Sequence, residues 1–212
     1  MYNEIYLIGG GPSLQGFDFS TLQHKTTIAV NMSALDVPTP TFSITADSTI
    51  LKRLQEGEFK KVKTTWVLIT NPDHCTMKFN DGQFKNIRTG YVYNTFAANI
   101  VIRNAGVEGL GFSFNDFRTG YNSGFCALQL AILLKYNVIH LLGFDLTGDK
   151  KKCHYHKYYK GKGISDENFN RYLMCFIEAL TILKNHTHIK VISHSKISQL
   201  NDYIEYVPWV TS

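Results

Sequence analysis

Residues Cys153-His154-Tyr155-His156-Lys157-Tyr158-Tyr159-Lys160 put two imidazoles, three phenols and two ammonium groups into one short segment. An imidazole can take a proton from an attacking hydroxyl near neutral pH, and phenols and ammoniums can steady negative charge that develops on a leaving group. His154, His156, Tyr155 and Tyr158 are therefore candidate catalytic residues. Their spacing does not choose between the two histidines. A metal set of Cys153, His154, His156 and His140 has no established ligand spacing, so no metal site is assigned. A solvated lysine loop is the competing reading of the same run, which continues the cluster Lys150-Lys151-Lys152 and ends at Lys162.

The second chemical feature is Gly9-Gly10-Gly11-Pro12-Ser13, which follows the apolar run Glu4-Ile5-Tyr6-Leu7-Ile8. Glycines after a strand let a phosphate approach backbone N–H groups with no Cβ in the way. The loop is neither a Walker A motif, lacking Gly-Lys-Ser/Thr, nor a Gly-x-Gly-x-x-Gly fingerprint, since Leu14 replaces the third glycine. Asn31 and Asp47 each end an apolar run and could bond a ribose or a base. Asn122-Ser123-Gly124 opens an apolar helical segment whose N-terminus is a ready anion site, and Ser123 reads equally as an ordinary N-cap. Asp145 ends the run Val138 to Phe144.

The elements that must position these groups alternate. Strands are expected at Glu4 to Ile8, Thr26 to Val30, Thr41 to Thr45, Thr65 to Ile69, Val138 to Leu142 and Ile189 to Ile192. Helices are expected from Ser48 to about Glu56, from Ser123 to Leu134 and from Ser165 or Asp166 to about Lys184. This alternation predicts an α/β, Rossmann-like fold with a mostly parallel sheet flanked by helices. Ligands then collect at the carboxyl ends of the strands, where each polar residue named above falls. The pattern weakens over residues 73–117, which read as an insertion or lid within a single domain of residues 1–212.

At 212 residues, with 44% hydrophobic and 18% charged residues, the chain can bury a substantial core. The formal charge of +5 is mild. Cys75, Cys126, Cys153 and Cys175 form no Cys-x-x-Cys pair and suit reduced thiols. The N-terminal run lacks the pattern of a signal peptide, and no stretch approaches the roughly 18 apolar residues of a membrane span. A cytoplasmic location is expected.

Taken together, Leu7-Ile8-Gly9-Gly10-Gly11-Pro12-Ser13-Leu14, Val30-Asn31, Asn122-Ser123-Gly124 and Ile139-His140-Leu141-Leu142-Gly143-Phe144-Asp145 resemble the bacterial sialyltransferase-like enzymes of glycosyltransferase family 42. The tail from His154 to Glu205 is similar too. More loosely, the chain resembles the MptE-like (DUF115) and flagellin-modifying proteins, and small proteins encoded by bacteriophages. The first resemblance implies a metal-independent transferase that needs no cofactor and takes a CMP-sugar-like nucleotide-sugar. It implies donor binding by Gly9, Gly11, Asn31 and Ser123, with His156 as base and His154 in reserve. Glycans or modified nucleic acids are the implied acceptors, and a homo-oligomer is compatible with it. The MptE-like resemblance implies instead an ATP-dependent diphosphokinase with magnesium held by Asp47 and Asp145. A non-catalytic nucleotide or nucleic-acid binding module is the third reading. The chain differs from the sialyltransferases at Gly10, where they carry asparagine, and at Thr147, where they carry tyrosine. Arg118 also lies two residues further from Ser123 than their arginine.

Overall fold

A computed structural model describes residues 3–70, 77–80, 83–86, 92–94, 97–147, 153–159 and 163–210, with the backbone alone for 77–80, 83–86 and 92–94. Lys150, Lys151, Lys152, Lys160 and Lys162 lie outside these residues, as does part of the expected insertion. The strands are β1 (Glu4–Ile8), β2 (Thr27–Val30), β3 (Phe42–Thr45), β4 (Thr65–Thr70), β5 (Met77–Asn80), β6 (Gln83–Asn86), β7 (Val92–Asn94), β8 (Ile100–Arg103), β9 (Val138–Leu142), β10 (Lys190–Ser193) and β11 (Glu205–Tyr206). Helices α1 (Ser48–Gln55), α2 (Ser123–Leu133) and α3 (Asp166–Leu183) complete the set.

Eight strands form one all-parallel sheet in the order β11-β10-β9-β1-β2-β3-β4-β8. The expected Rossmann-like α/β class is met. The central strands are apolar throughout because both faces of the sheet are covered, as parallel sheets require. Ile5, Leu7, Ile28 and Ile44 pack under α2 and α3, while Tyr6, Ile8, Ala29 and Leu142 pack with Leu22, Met32, Ile50 and Phe59 on the opposite side. Helix α2 is buried almost all round, which accounts for its near-continuous apolar sequence. Its buried Gln129 is satisfied by the Gly111 N–H and the Asp116 carbonyl.

Two strands of the main sheet escape the sequence pattern. β8 pairs with the outer edge of β4, and the two-residue β11 pairs with β10. β11 is too short to carry a pattern, and β8, as long as β2 and β3, lies mostly exposed at the edge within the stretch where the pattern weakens. β5, β6 and β7 form a separate antiparallel sheet. The helix caps also shift by one residue from two of the expected ones. Asp47, not Ser48, caps α1 by accepting from the Thr49 N–H, and Asn122, not Ser123, caps α2 by accepting from the Phe125 N–H. Ser165 caps α3 as expected.

From β1 the chain steps outward through β2, β3, β4 and β8, then returns to lay β9, β10 and β11 on the other side. The winding therefore reverses between β1 and β9. Loops leaving adjacent strands diverge at such a point and leave a crevice.

Candidate functional site

A cleft of about 500 Å³ opens at that reversal. Its floor is the glycine loop and the turn after β9, and its walls come from the ends of β2 and β3, the start of α2, the loop 153–159 and the first half of α3. Gly9, Gly10, Gly11, Asn31, Asp47, Asn122, Ser123, Gly124, Asp145, His154, Tyr155 and His156 all line it. Pro12, Ser13 and Tyr158 do not.

The glycine loop differs from the expected row of free donors. The Gly9 N–H donates to the Leu142 carbonyl and the Gly11 N–H to the Gly143 carbonyl, both at 2.8 Å. Pro12 has no N–H, and Ser13 gives both its N–H and its hydroxyl to the Asp145 carboxylate, at 2.7 and 2.6 Å. Among the donors of Gly9 to Ser13, only the Gly10 N–H is left to face a ligand. The glycines are required for a different reason. A Cβ on Gly9 would lie 2.5 Å from the Gly143 carbonyl oxygen, and one on Gly11 would lie 2.4 Å from Asp145 Oδ2. The loop is a close-packed joint between β1 and β9. Asp145, buried to 1% exposure, is its pin.

The loop that carries the histidines packs on this joint, the Tyr155 N–H donating to the Gly10 carbonyl at 3.1 Å, and hydrogen bonds set the two imidazoles apart. His154 Nδ1 sits 3.3 Å from the Gly10 carbonyl oxygen. A carbonyl only accepts, so Nδ1 carries the proton and Nε2 keeps a free lone pair. Burial holds the His154 pKa below the usual imidazole value and keeps the ring neutral at physiological pH. The ring packs on Tyr159, with centroids 4.3 Å apart. His156 is turned the other way. Its Nδ1 accepts from the Tyr158 N–H at 3.2 Å, so the proton sits on Nε2, which lies 3.8 Å from Asp36 Oδ2. The Nδ1 lone pair of His156 is thus taken, and the Nε2 proton faces a carboxylate. Burial lowers its pKa, with Asp36 pulling the other way.

Two of the candidate phenols have other partners. The Tyr155 hydroxyl donates to Asp36 Oδ2 at 3.0 Å, and burial followed by that carboxylate raises its pKa. Tyr158 lies under the Arg53 guanidinium, 3.6 Å from ring centroid to Cζ. Tyr159 and Tyr172 line the cleft beside Tyr155. Burial, with Asp47 adding to it, raises both of their pKa values and keeps them as neutral donors. Asn31 holds a left-handed backbone (φ 55°), which asparagine tolerates, and its side chain bonds Tyr159. Its Oδ1 is buried with no partner among the described residues. An unpaired acceptor in a cleft calls for a donor from a ligand.

Among the described lining residues there is no Lys or Arg, and the carboxylates are Asp47 and the pinned Asp145. Positive potential comes from the N-termini of α1 and α2, which begin at Ser48 and Ser123 in the wall. The Ser123 hydroxyl accepts from the Ala46 N–H at 3.0 Å and ties those two termini together. No group of three His, Cys, Asp or Glu that could hold a metal occurs among the described residues, and His140 belongs to a different cluster. There, His194 Nδ1 donates to the Val207 carbonyl at 2.7 Å, so its Nε2 accepts from His140 Nδ1 at 2.9 Å. His140 stacks on Tyr6 at 4.3 Å, and Trp209 packs edge-on against Tyr6 and His194.

Asp36, Tyr159 and Tyr172 were not read as site residues from the sequence. Asp36 carries no local signal, because its hydrogen-bond partner Tyr155 is 119 positions away. Tyr172 did carry one. Phe169, Tyr172 and Phe176 recur at helical spacing and form the stripe of α3 that faces the cleft.

No family model matches the sequence, and no curated protein matches it either. Solved structures do match in fold. The MAf glycosyltransferase from Magnetospirillum magneticum AMB-1 superposes with a TM-score of 0.58 at 11% identity, over 100% of this chain and 34% of that one. This chain thus spans about a third of that protein's length. The sialyltransferase CstII from Campylobacter jejuni, in complex with CMP-3FNeuAc, gives 0.56 at 16% identity over 99% of this chain and 88% of that one. The sialyltransferase CST-II in complex with a trisaccharide acceptor and CMP gives 0.55 at 17% identity, with the same coverage. The fold is one shared with glycosyltransferases. No helix among the described residues is long and apolar enough to cross a membrane.

Proposed function

We propose that this chain transfers a sugar from a nucleoside-monophosphate sugar to an acceptor hydroxyl, without a metal, using His154 as general base. The observation that carries the reading is the hydrogen bonding of His154, a cleft-lining residue whose Nδ1 is fixed on the Gly10 carbonyl and whose Nε2 has no hydrogen bond among the described residues. The acceptor oxygen attacks the anomeric carbon as its proton passes to Nε2. The bond from that carbon to the phosphate oxygen breaks, and the nucleoside monophosphate leaves with the bonding pair. Tyr159, Tyr172, the Gly10 N–H and the two helix N-termini would steady the charge on the departing phosphate. The unpaired Asn31 Oδ1 would accept from the nucleoside. CMP, bound by the fold relatives, is the first nucleotide to try.

Charge favours this reading over diphosphate transfer from ATP. A cleft whose described lining has no Lys or Arg suits the single charge of a phosphodiester better than a triphosphate. The magnesium ligands of the alternative were Asp47 and Asp145, and Asp145 is already pinned by Ser13.

The test is a thermal-shift panel of cytidine, uridine, guanosine and adenosine nucleotides, with and without magnesium, followed by transfer assays. CMP is expected to raise Tm without magnesium, and His154→Gln to keep that rise while losing turnover. A rise only with ATP and magnesium would overturn the reading in favour of the diphosphokinase. Salt-sensitive binding of nucleic acid that histidine substitutions leave unchanged would favour the non-catalytic module.

A further inference from the structure

The turn Thr119-Gly120-Tyr121-Asn122 closes with the Asn122 N–H on the Thr119 carbonyl at 3.0 Å, and both central residues are left-handed, with φ of 52° and 60°. Such a turn prefers Asn or Gly at its centre. Gly120 obeys the preference, and a Cβ there would also lie 2.2 Å from the Phe125 ring. Tyr121 does not obey it. A bulky L-residue is disfavoured in this conformation and is held there only when something outweighs the strain. Core packing does not supply it, since Tyr121 is 42% exposed. No hydrogen bond of its hydroxyl occurs among the described residues. The ring instead lines the mouth of the cleft, with the Arg171 guanidinium 4.9 Å from its centroid. Arg171 has one ion pair, to the exposed Glu167 one turn earlier in α3.

We propose that Tyr121, steadied by Arg171, is the stacking platform for a pyranose ring of the acceptor glycan. This inference rests on the transferase reading. The donor nucleotide belongs on the buried floor beside Asn31, whereas an acceptor chain must continue out of the cleft into solvent, and Tyr121 stands where it would leave. The C–H face of a pyranose is apolar and its rim polar, which matches a ring that is aromatic on its face and open to water at its edge. Arg171 holds the ring by its own attraction to the aromatic face.

The backbone strain makes the test selective. Tyr121→Gly should keep Tm within about 2 °C of the parent or raise it, because glycine adopts the left-handed conformation freely. The same variant should keep the CMP-induced shift. Saturation-transfer NMR with methyl β-lactoside and a panel of other methyl pyranosides, in the presence of CMP, should show ring protons contacting the parent protein. Apparent affinity for the glycoside should fall at least tenfold in Tyr121→Gly and recover in Tyr121→Phe. Glycoside binding unchanged in Tyr121→Gly overturns the proposal, as does saturation transfer from no pyranoside to the parent. A loss of Tm together with the CMP shift would make Tyr121 a packing residue and overturn it too. Failure of the transferase reading looks different, with no CMP shift in the parent while glycoside binding is still measured directly.

Discussion

Two pairs of histidines, His140 with His194 and His154 with His156, are perturbed in the same direction for the same reason. Burial lowers the pKa of His140, His194, His154 and His156 alike. The most perturbed is His140, pushed down to about 4, yet it lies in the sheet, stacked on Tyr6, with its Nδ1 proton on His194. His154 is the one whose free nitrogen meets a cleft. A shifted pKa therefore marks burial, and only the direction of the hydrogen bonds separates a candidate base from a packed ring. The same test divides the second pair. His154 hands its proton to a carbonyl and keeps a lone pair, whereas the lone pair of His156 is taken by a backbone N–H.

The sharpest way to break this contrast is to remove one imidazole from each side. His154→Gln is expected to lower the transfer rate by about 10²–10⁴-fold, and His156→Gln by less than about tenfold, in single-turnover assays at saturating donor. A larger loss from His156→Gln would reverse the assignment. Next in size is an effect on stability. His140 titrates at 6.5 when unfolded and at about 4 when folded, so its contribution is present above pH 6.5 and is lost as pH falls toward 4. His194, Glu4, Lys25 and Lys190 all act on it, Glu4 alone raising its pKa and the others lowering it along with burial. The loss amounts to at most about 3 kcal/mol. Denaturant titrations from pH 7 to 4 should be visibly flatter in His140→Phe, and a slope equal to the parent's would show that other groups govern the acid limb.

A smaller effect is expected from Asp36→Ala, which strips Tyr155 and His156 of their shared carboxylate. About 1–2 kcal/mol of stability should go, measured by chemical denaturation. Smallest is Gly10→Ala. Its Cβ would come within 3.1 Å of His154 Nδ1 and meet little else. Stability should stay within about 0.5 kcal/mol of the parent, while transfer falls several-fold as the ring is displaced.

The strands that carry the site are legible in the sequence because each runs apolar and stops at glycine, asparagine or aspartate, as at Ile8-Gly9, Val30-Asn31 and Phe144-Asp145. Their convergence on one cleft follows from the parallel sheet. The use of the glycine loop is not legible in this way. The Gly9 and Gly11 N–H groups are taken by the Leu142 and Gly143 carbonyls at the end of β9, and nothing near Gly9 in sequence announces that neighbour. The choice between His154 and His156 is hidden for the same reason, since it depends on Gly10 and Asp36, both far away in the chain. β11, with two residues, is too short to carry a pattern, and β8 is an exposed edge strand inside a stretch whose pattern is weak.

The pin between Ser13 and Asp145 spans 132 positions. Loop closure over such a distance is slow and comes late in folding, because the chain gains nothing from the contact until both ends have met. β1, β2, β3 and β4 can pair before β9 exists, but the floor of the cleft cannot close until the chain has been made past Asp145. Its remaining walls come later still, from the loop 153–159 and α3. A fragment ending before β9 would keep five adjacent strands of the sheet, β1, β2, β3, β4 and β8, and lack the floor of the cleft.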